Sequence, residues 1–471
     1  MAVSVRSWLA NEAGKHFVLM LWLAANIWLF LDTYLLYSTG QQYHYLYQML
    51  GLGLCISRAS ASVLNLNCSL VLLPMCRSLL TFIRGSHTMS TRRMRRLLNK
   101  SKSFHVACGV AICIFSAVHV SAHLMNVVNF SASFSEDFPA LNLALPGVSG
   151  VLLVLILLLM FISSSQCIRV FNYEIFWYTH NLFIIFYIIL MVHMVGGALK
   201  YQTNTEAHPP GCLRSSQTLR LLCSSSVSVH EQTWLWVSGP LCLYCVERLY
   251  RYIRSSHPVT IVTVIRHPCD VVELRMLKKN FRARPGQVSL VECPTENKET
   301  FGIHLRIVGD WTEHFAHLLL SQPRAALEIL PVVHQRRYPT ERWKSFRLQR
   351  LYFVWVCREL QSFYWFAELL CALHEKLWKE NRPDYLNVKL YVTQDSLQSM
   401  SELRYRPLAA RLQVGRPRWK LLFDEIGKSN KDKRVGVFCC GPKGISRTLH
   451  RLCNSVRSSG ATFEFNKESF S

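Results

Sequence analysis

The stretch His105–Val127, HVACGVAICIFSAVHVSAHLMNV, decides the fold. It is long and apolar enough to cross a bilayer, which takes about 20 helical residues. Yet it carries three histidines, His105, His119 and His123, and ionisable residues inside a span are costly and usually functional. His105 and His119 are 14 residues apart. That is close to four turns, so they share a helix face, offset by about 40° and separated by roughly 21 Å of rise. A second apolar stretch, 175–196, holds His180 and His193, 13 residues apart, or about 20 Å of rise. With both helices running the same way, His105 matches His180 in depth and His119 matches His193. Neutral imidazole ligates haem iron, and two matched pairs suit two haems stacked across the membrane. A zinc site, a proton path, or histidines simply bonded to carbonyls are the competing readings. Thirteen residues leave an ideal helix about 140° off face, so the second span needs a bend, a π-bulge or a different approach to each haem.

Outward from these two stretches, six apolar spans are expected at 17–37, 49–83, 105–127, 147–168, 175–196 and 233–253. The second is too long for one straight span and should tilt or continue as an extension beginning near Arg77. The loops alternate in charge: 84–104 carries Arg84, Arg92, Arg93, Arg95, Arg96, Lys100 and Lys102 without an acid, whereas 38–48 and 128–146 have no Lys or Arg. Positive residues mark the cytoplasmic side, which puts both termini in the cytoplasm. The same placement explains the net charge of +24: the charge flanks membrane or serves acidic lipid and phosphorylated cofactors, and nucleic acid is excluded as a partner. Asn129-Phe130-Ser131 then reads as an outside glycosylation sequon, and Asn67-Cys68-Ser69, inside a span, should be silent. The 17 cysteines show no paired zinc spacing, and those within spans act as small apolar fillers. Arg58, within the second span, is either a snorkelling or helix-pairing arginine or a cation for a haem propionate or for anionic oxygen. His123 lies one turn beyond His119 and can assist it.

From about Pro258 the composition becomes that of a soluble protein. Strands are expected at 259–265, 271–276, 288–293 and 302–308. After these come a strand at 351–355, an amphipathic helix at 361–378, and strands at 386–392 and 435–440. That alternation suggests a nucleotide-binding α/β domain.

The chain resembles the NADPH oxidase family, in its type-4 branch. The resemblance rests on AVSVRSWLANE at Ala2–Glu12, Tyr43–Pro74, NYEIFWYTHN at Asn172–Asn181, HPPGC at His208–Cys212, GRPRWKLLFDEI at Gly415–Ile426 and FNKESFS at Phe465–Ser471. It implies a six-helix membrane haem domain over 1–256. After it would come a ferredoxin-reductase-like FAD-binding β-barrel over 257–345 and an NADPH-binding α/β domain over 346–471, both incomplete. It implies two b-type haems, FAD and NADPH as cofactors, with electrons passing to oxygen to give superoxide or hydrogen peroxide. His105 and His180 would hold the inner haem and His119 and His193 the outer one, with Arg58 and His123 beside the outer haem. His208, in the last outer loop, would donate a proton to superoxide, and Cys212 and Cys223 in that loop face an oxidising side and could pair. Pro285, Gly286 and Gln287 resemble the flavin-barrel turn. Cys357 and Arg358, and Cys440, Gly441 and Pro442, resemble the NADPH-contacting strand ends, and Phe470 the aromatic over the flavin. The resemblance also implies a partner, the cytochrome b light chain, and residence in the plasma membrane or endoplasmic reticulum.

Two blocks of the family pattern are absent. No His-Pro-Phe-Thr motif follows the flavin turn, and between Gly309 and Gly415 there is no glycine at all, so the turn that brings backbone against a pyrophosphate is missing. The alternative function is therefore a haem-binding membrane protein, impaired in taking electrons from NADPH, that competes with the full-length enzyme for partners. A metal-reductase relative shares the haem geometry but not the type-4 segments.

Overall fold

The computed structural model describes residues 4–85, 94, 97–98, 100–133, 141–193, 200–202, 205, 226–228, 233–256, 258–267, 270–277, 300–307, 310–321, 348–394, 406–455 and 460–468. These form two units, Glu12–Arg254 and a second made of residues up to Asn11 together with those from Ser255 onward.

Five of the six expected spans are helices long and apolar enough to cross a membrane: Ala13–Thr39, Leu52–Met75, Ser101–Asn129, Pro146–Ser163 and Tyr173–His193. The sixth, Thr233–Ser255, is a 23-residue helix. Its aromatic, glycine and proline residues and the charges from Glu247 onward leave it less apolar than the other five. Glu247 is buried and satisfied there. One carboxylate oxygen accepts from the Ser78 N–H at 2.8 Å and the other from Arg251 Nε at 3.0 Å. The overlong second span is resolved as anticipated: helix α2 (Leu52–Leu70) ends, Pro74 sits in a 3₁₀ turn, and a new helix begins at Arg77. Helix α1 (Ala13–Thr39) is tied to α2 by amides. Asn67 Nδ2 donates to Asn26 Oδ1 at 2.6 Å, and Trp22 Nε1 donates to Asn67 Oδ1 at 3.1 Å. Asn67 is fully buried, so its sequon is inaccessible. Asn129 lies inside helix α3 (Ser101–Ser133), where Nδ2 donates to the Leu50 carbonyl at 2.9 Å.

In the second unit, strands β1 (Thr260–His267), β2 (Val271–Leu277) and β3 (Thr300–Arg306) form an antiparallel sheet. One face, with Val264, Val272, Leu274 and Leu305, packs on the helix Asp310–Leu320 through Ala316 and Leu319. The expected strand at 288–293 lies outside the described residues. On the other face Glu273 is buried. Burial alone would raise its pKa, but hydrogen bonds from His267 and Arg275 prevail and hold it down at about 2.

Strands β4 (Leu351–Cys357), β5 (Leu386–Val392) and β6 (Leu412–Val414) run parallel in that order, and β7 (Arg434–Cys440) and β8 (Thr462–Glu468) form a separate parallel pair. An open dinucleotide-binding sheet is continuous and carries its glycine-rich turn after its first strand. Here β6-β5-β4 and β7-β8 are two separate parallel sheets, and among the described residues no strand joins them. Parallel strands are normally covered on both faces, yet Leu351 is 43% exposed, Phe353 37% and Phe438 75%. A further strand and helix seated between the two sheets would join them and cover these side chains. Residues 255–471 should accordingly be cut by protease at least about tenfold faster than the matching part of a full-length relative. Equal resistance in a timed limited digest would contradict this.

Residues Val5–Asn11 form a helix docked within this second unit. Asn11 Nδ2 donates to Asn454 Oδ1 at 2.8 Å and to the Phe463 carbonyl at 3.1 Å, and Asn11 Oδ1 accepts from Phe465 N–H at 2.9 Å. Sequence reasoning placed these residues with the membrane half. A single asparagine satisfying a strand edge leaves no hydropathy signal.

A candidate two-haem site in the helical unit

Helix α3 carries His105, His119 and His123, and His180 and His193 end two consecutive short helices, Tyr173–His180 and Phe183–His193. Between these two, Leu182 N–H donates to the Thr179 carbonyl at 3.2 Å and Ile184 N–H to the Asn181 carbonyl at 3.2 Å. Three-residue bonds overwind the chain locally. This is the irregularity that a 13-residue spacing requires, and it turns both histidines toward the same neighbouring segment, Pro146–Ser164.

The rings of His105 and His180 lie 6.1 Å apart, centroid to centroid, at 67°. Two imidazoles facing one iron through Nε2, each with a metal–nitrogen bond of about 2 Å, place their centroids roughly 6 Å apart. This pair fits a single haem iron. At the other level His119 and His123 are 4.5 Å apart in a T-shaped arrangement, and His193 and Arg58 lie within electrostatic reach of both. Arg58 is placed over the Tyr37 ring, 5.8 Å from its centroid.

The tautomers of the four candidate ligands are fixed by partners that sequence reasoning did not find. His105 Nδ1–H donates to the Val71 carbonyl at 2.8 Å, and His119 Nδ1–H to the Ser57 carbonyl at 3.0 Å, with Ser60 Oγ at 3.3 Å. His193 Nδ1 is hydrogen-bonded to Ser149 Oγ at 2.7 Å and His180 Nδ1 to Ser164 Oγ at 3.4 Å. Each serine hydroxyl gives its own proton to a helix carbonyl: Ser60 to Ser57 O, Ser149 to Pro146 O, Ser164 to Met160 O. A hydroxyl whose proton is committed can only accept. The carbonyl partners of His105 and His119 require a protonated Nδ1 and the serine geometry favours the same at His180 and His193, so Nε2 keeps its lone pair for iron, as is usual where an outer group orients a metal-binding imidazole. A faint sequence signal exists: Ser149 stands alone in an apolar stretch and Ser164, in the run Ser163-Ser164-Ser165, follows 15 residues on, close to the histidine spacing. Replacing Ser149 and Ser164 together by alanine should weaken haem retention about 10- to 100-fold without unfolding the helices. Haem titration followed by Soret absorbance checks this, and unchanged affinity would remove the serines from the site.

In the second unit, Cys357 ends β4 and Arg358 follows it, while Cys440 ends β7 and Gly441-Pro442 lead into the helix Lys443–Asn454. All five stand at carboxyl ends of parallel strands, the side on which open α/β sheets take ligands, but the two groups belong to separate sheets. Pro285, Gly286, Gln287, His208, Cys212, Cys223 and Phe470 lie outside the described residues.

Comparison with known proteins agrees with this layout. Residues 60–191 match a family model described as the ferric reductase like transmembrane component, and residues 328–454 match the ferric reductase NAD binding domain. NADPH oxidase 4 of Pongo abelii and of Homo sapiens are each 51% identical, over all of this chain and all of the relative. NADPH oxidase 1 of Rattus norvegicus is 30% identical over 98% of this chain and 100% of its own length. The first two alignments run over 578 positions, of which this 471-residue chain fills all but about a hundred. Five apolar membrane helices, a haem-binding helical domain followed by an NAD-binding domain, and half-identity from end to end leave one assignment: the chain belongs to the NADPH oxidase family of membrane NAD(P)H oxidoreductases.

Proposed function

We propose that this chain holds two b-type haems, one between His105 and His180 and one between His119 and His193, and delivers electrons to oxygen as superoxide or hydrogen peroxide. The observation that carries the reading is the set of four histidines, each with Nδ1 engaged, which leaves Nε2 as the atom to ligate iron. The haems supply single-electron transfer across a layer where a bare charge is costly. The chain's own groups do the rest. His105 donates to Val71 and His119 to Ser57, which fixes ring orientation. Arg58 provides a positive charge where oxygen gains a negative one. His123, one turn from His119, is placed to hold or supply a proton, and His208 is assigned the same role from the last outer loop. The positive loop at 84–104 supports cytoplasmic termini, and membrane lipid and a cytochrome b light chain are the expected partners, in the plasma membrane or endoplasmic reticulum. Domain boundaries at 256/257 and 345/346 complete the assignment. Pro285, Gly286, Gln287 and Phe470 would address FAD, and Cys357, Arg358, Cys440, Gly441 and Pro442 NADPH.

The test uses the full chain in liposomes, reduced photochemically without NADPH and then given oxygen. Re-oxidation should release superoxide or peroxide. Arg58→Ala and His123→Ala should each slow it at least about tenfold, with haem content unchanged. Normal rates in both variants would move the oxygen site elsewhere.

A second reading rests on a separate observation, the glycine-free interval 310–414 and the split sheet it produces. In that reading the haem scaffold is intact but NADPH is a poor donor, so the shortened chain acts through its partners and competes with the full-length enzyme.

A further inference from the structure

The sheet of β1, β2 and β3 brings together three metal-ligating side chains that the oxidase reading leaves unused. In register, Glu273 pairs with Ile265 on one side and with His304 on the other, and His267 lies two residues beyond Ile265. Side chains alternate along a strand, so His267, Glu273 and His304 project from one face, opposite the face packed on the helix Asp310–Leu320. His267 Nε2 is 2.8 Å and His304 Nε2 3.6 Å from the same oxygen, Glu273 Oε2. The three candidate ligand atoms lie within 4.8 Å of one another, and the two imidazoles stack at 5.3 Å and 29°. The side chains of Glu273 and His304 are 3% and 4% exposed, while His267 retains 20%.

We propose that His267, Glu273 and His304 form a site for one divalent ion of the zinc class, linking the three strands. Two imidazole nitrogens and one carboxylate oxygen are the donor set that suits zinc, and tetrahedral bonds of about 2.0–2.1 Å put ligand atoms roughly 3.3 Å apart. The two separations from Glu273 Oε2, 2.8 and 3.6 Å, bracket that value, and the third side lies within 4.8 Å. Arg275 supports it from behind: its Nε holds Glu273 Oε1 at 2.7 Å, which leaves Oε2 aimed between the histidines. Carboxylates that ligate metals are usually pinned in this manner. Three protein ligands leave a fourth position, on the side where His267 is still open to solvent. The ion would tie the hairpin of β1 and β2 to the more distant β3.

The test is made on the purified full chain in detergent with Zn²⁺ alone as the probe, in competition with a chromophoric chelator. X-ray absorption at the zinc edge identifies the ligands. The expected result is one tightly held zinc with nitrogen and oxygen neighbours and no sulfur. In His304→Gln and in the near-isosteric Glu273→Gln, affinity should fall at least about a hundredfold, with the haem spectrum unchanged. His267→Gln, at the most exposed ligand, provides a third variant should either of the others fail to fold. No zinc beyond that held by the variants, or a sulfur-containing shell drawn from the chain's many cysteines, would overturn the proposal and leave an ion-pair network between the strands.

Discussion

Replacing His105 by alanine should lower the haem content of the purified chain from two per polypeptide to one. A b-type haem has no covalent attachment, so its retention depends on axial bonds and on the walls around it. The rings of His105 and His180 lie 6.1 Å apart, the spacing of two ligands on one iron. Removing His105 leaves His180 as the lone ligand and opens a gap on helix α3. His119→Ala should remove the other haem and spare the first, because the two histidines sit roughly 21 Å apart along the helix. Haem quantified against protein mass, with low-temperature EPR to separate the two signals, reads the outcome. Loss of both haems from either variant would mean that the two sites fold as one, and loss of neither would remove these histidines as ligands.

Affinity for NADPH should be at least about a hundredfold weaker than in a full-length relative. The glycine-rich turn normally presents backbone N–H groups to the pyrophosphate at a helix N-terminus. Each hydrogen bond to a charged group contributes about 1.5–3 kcal/mol, so losing two costs about two to four powers of ten in binding. Cys357-Arg358 and Cys440-Gly441-Pro442 keep their positions at strand ends, but on two sheets that no described strand bridges. Equilibrium dialysis with NADPH checks this, and affinity equal to that of the relative would mean that another loop has replaced the lost turn.

The membrane half was legible because a bilayer imposes length and hydropathy on a helix, and because histidine inside such a helix is too costly to be incidental. The 13-residue spacing of His180 and His193 announced an irregular turn before the bonds around Asn181 and Leu182 located it. Less apolar helices were harder to judge: Thr233–Ser255 forms, but its charge and aromatic content set it apart from the other five. The serines that orient His180 and His193 were not legible, since a serine in a span ordinarily bonds its own helix, and these do that as well. The docking of Asn11 on β8 and the pairing that brings His304 beside Glu273 are contacts between segments distant in sequence, which local patterns do not encode. The missing glycine turn was legible because a requirement for close backbone approach is written in one residue type. The exposed Phe438 and Phe353 then give that absence a structural consequence.

The most direct test of the account is anaerobic absorption spectroscopy of the purified chain with added FAD, reduced by dithionite in one sample and by NADPH alone in another. Dithionite should reveal the α and Soret bands of two b-type haems per chain, and NADPH should leave them largely oxidised. Full reduction by NADPH would show the lost blocks to be dispensable, and a dithionite spectrum without b-type haem would contradict the two-haem site itself.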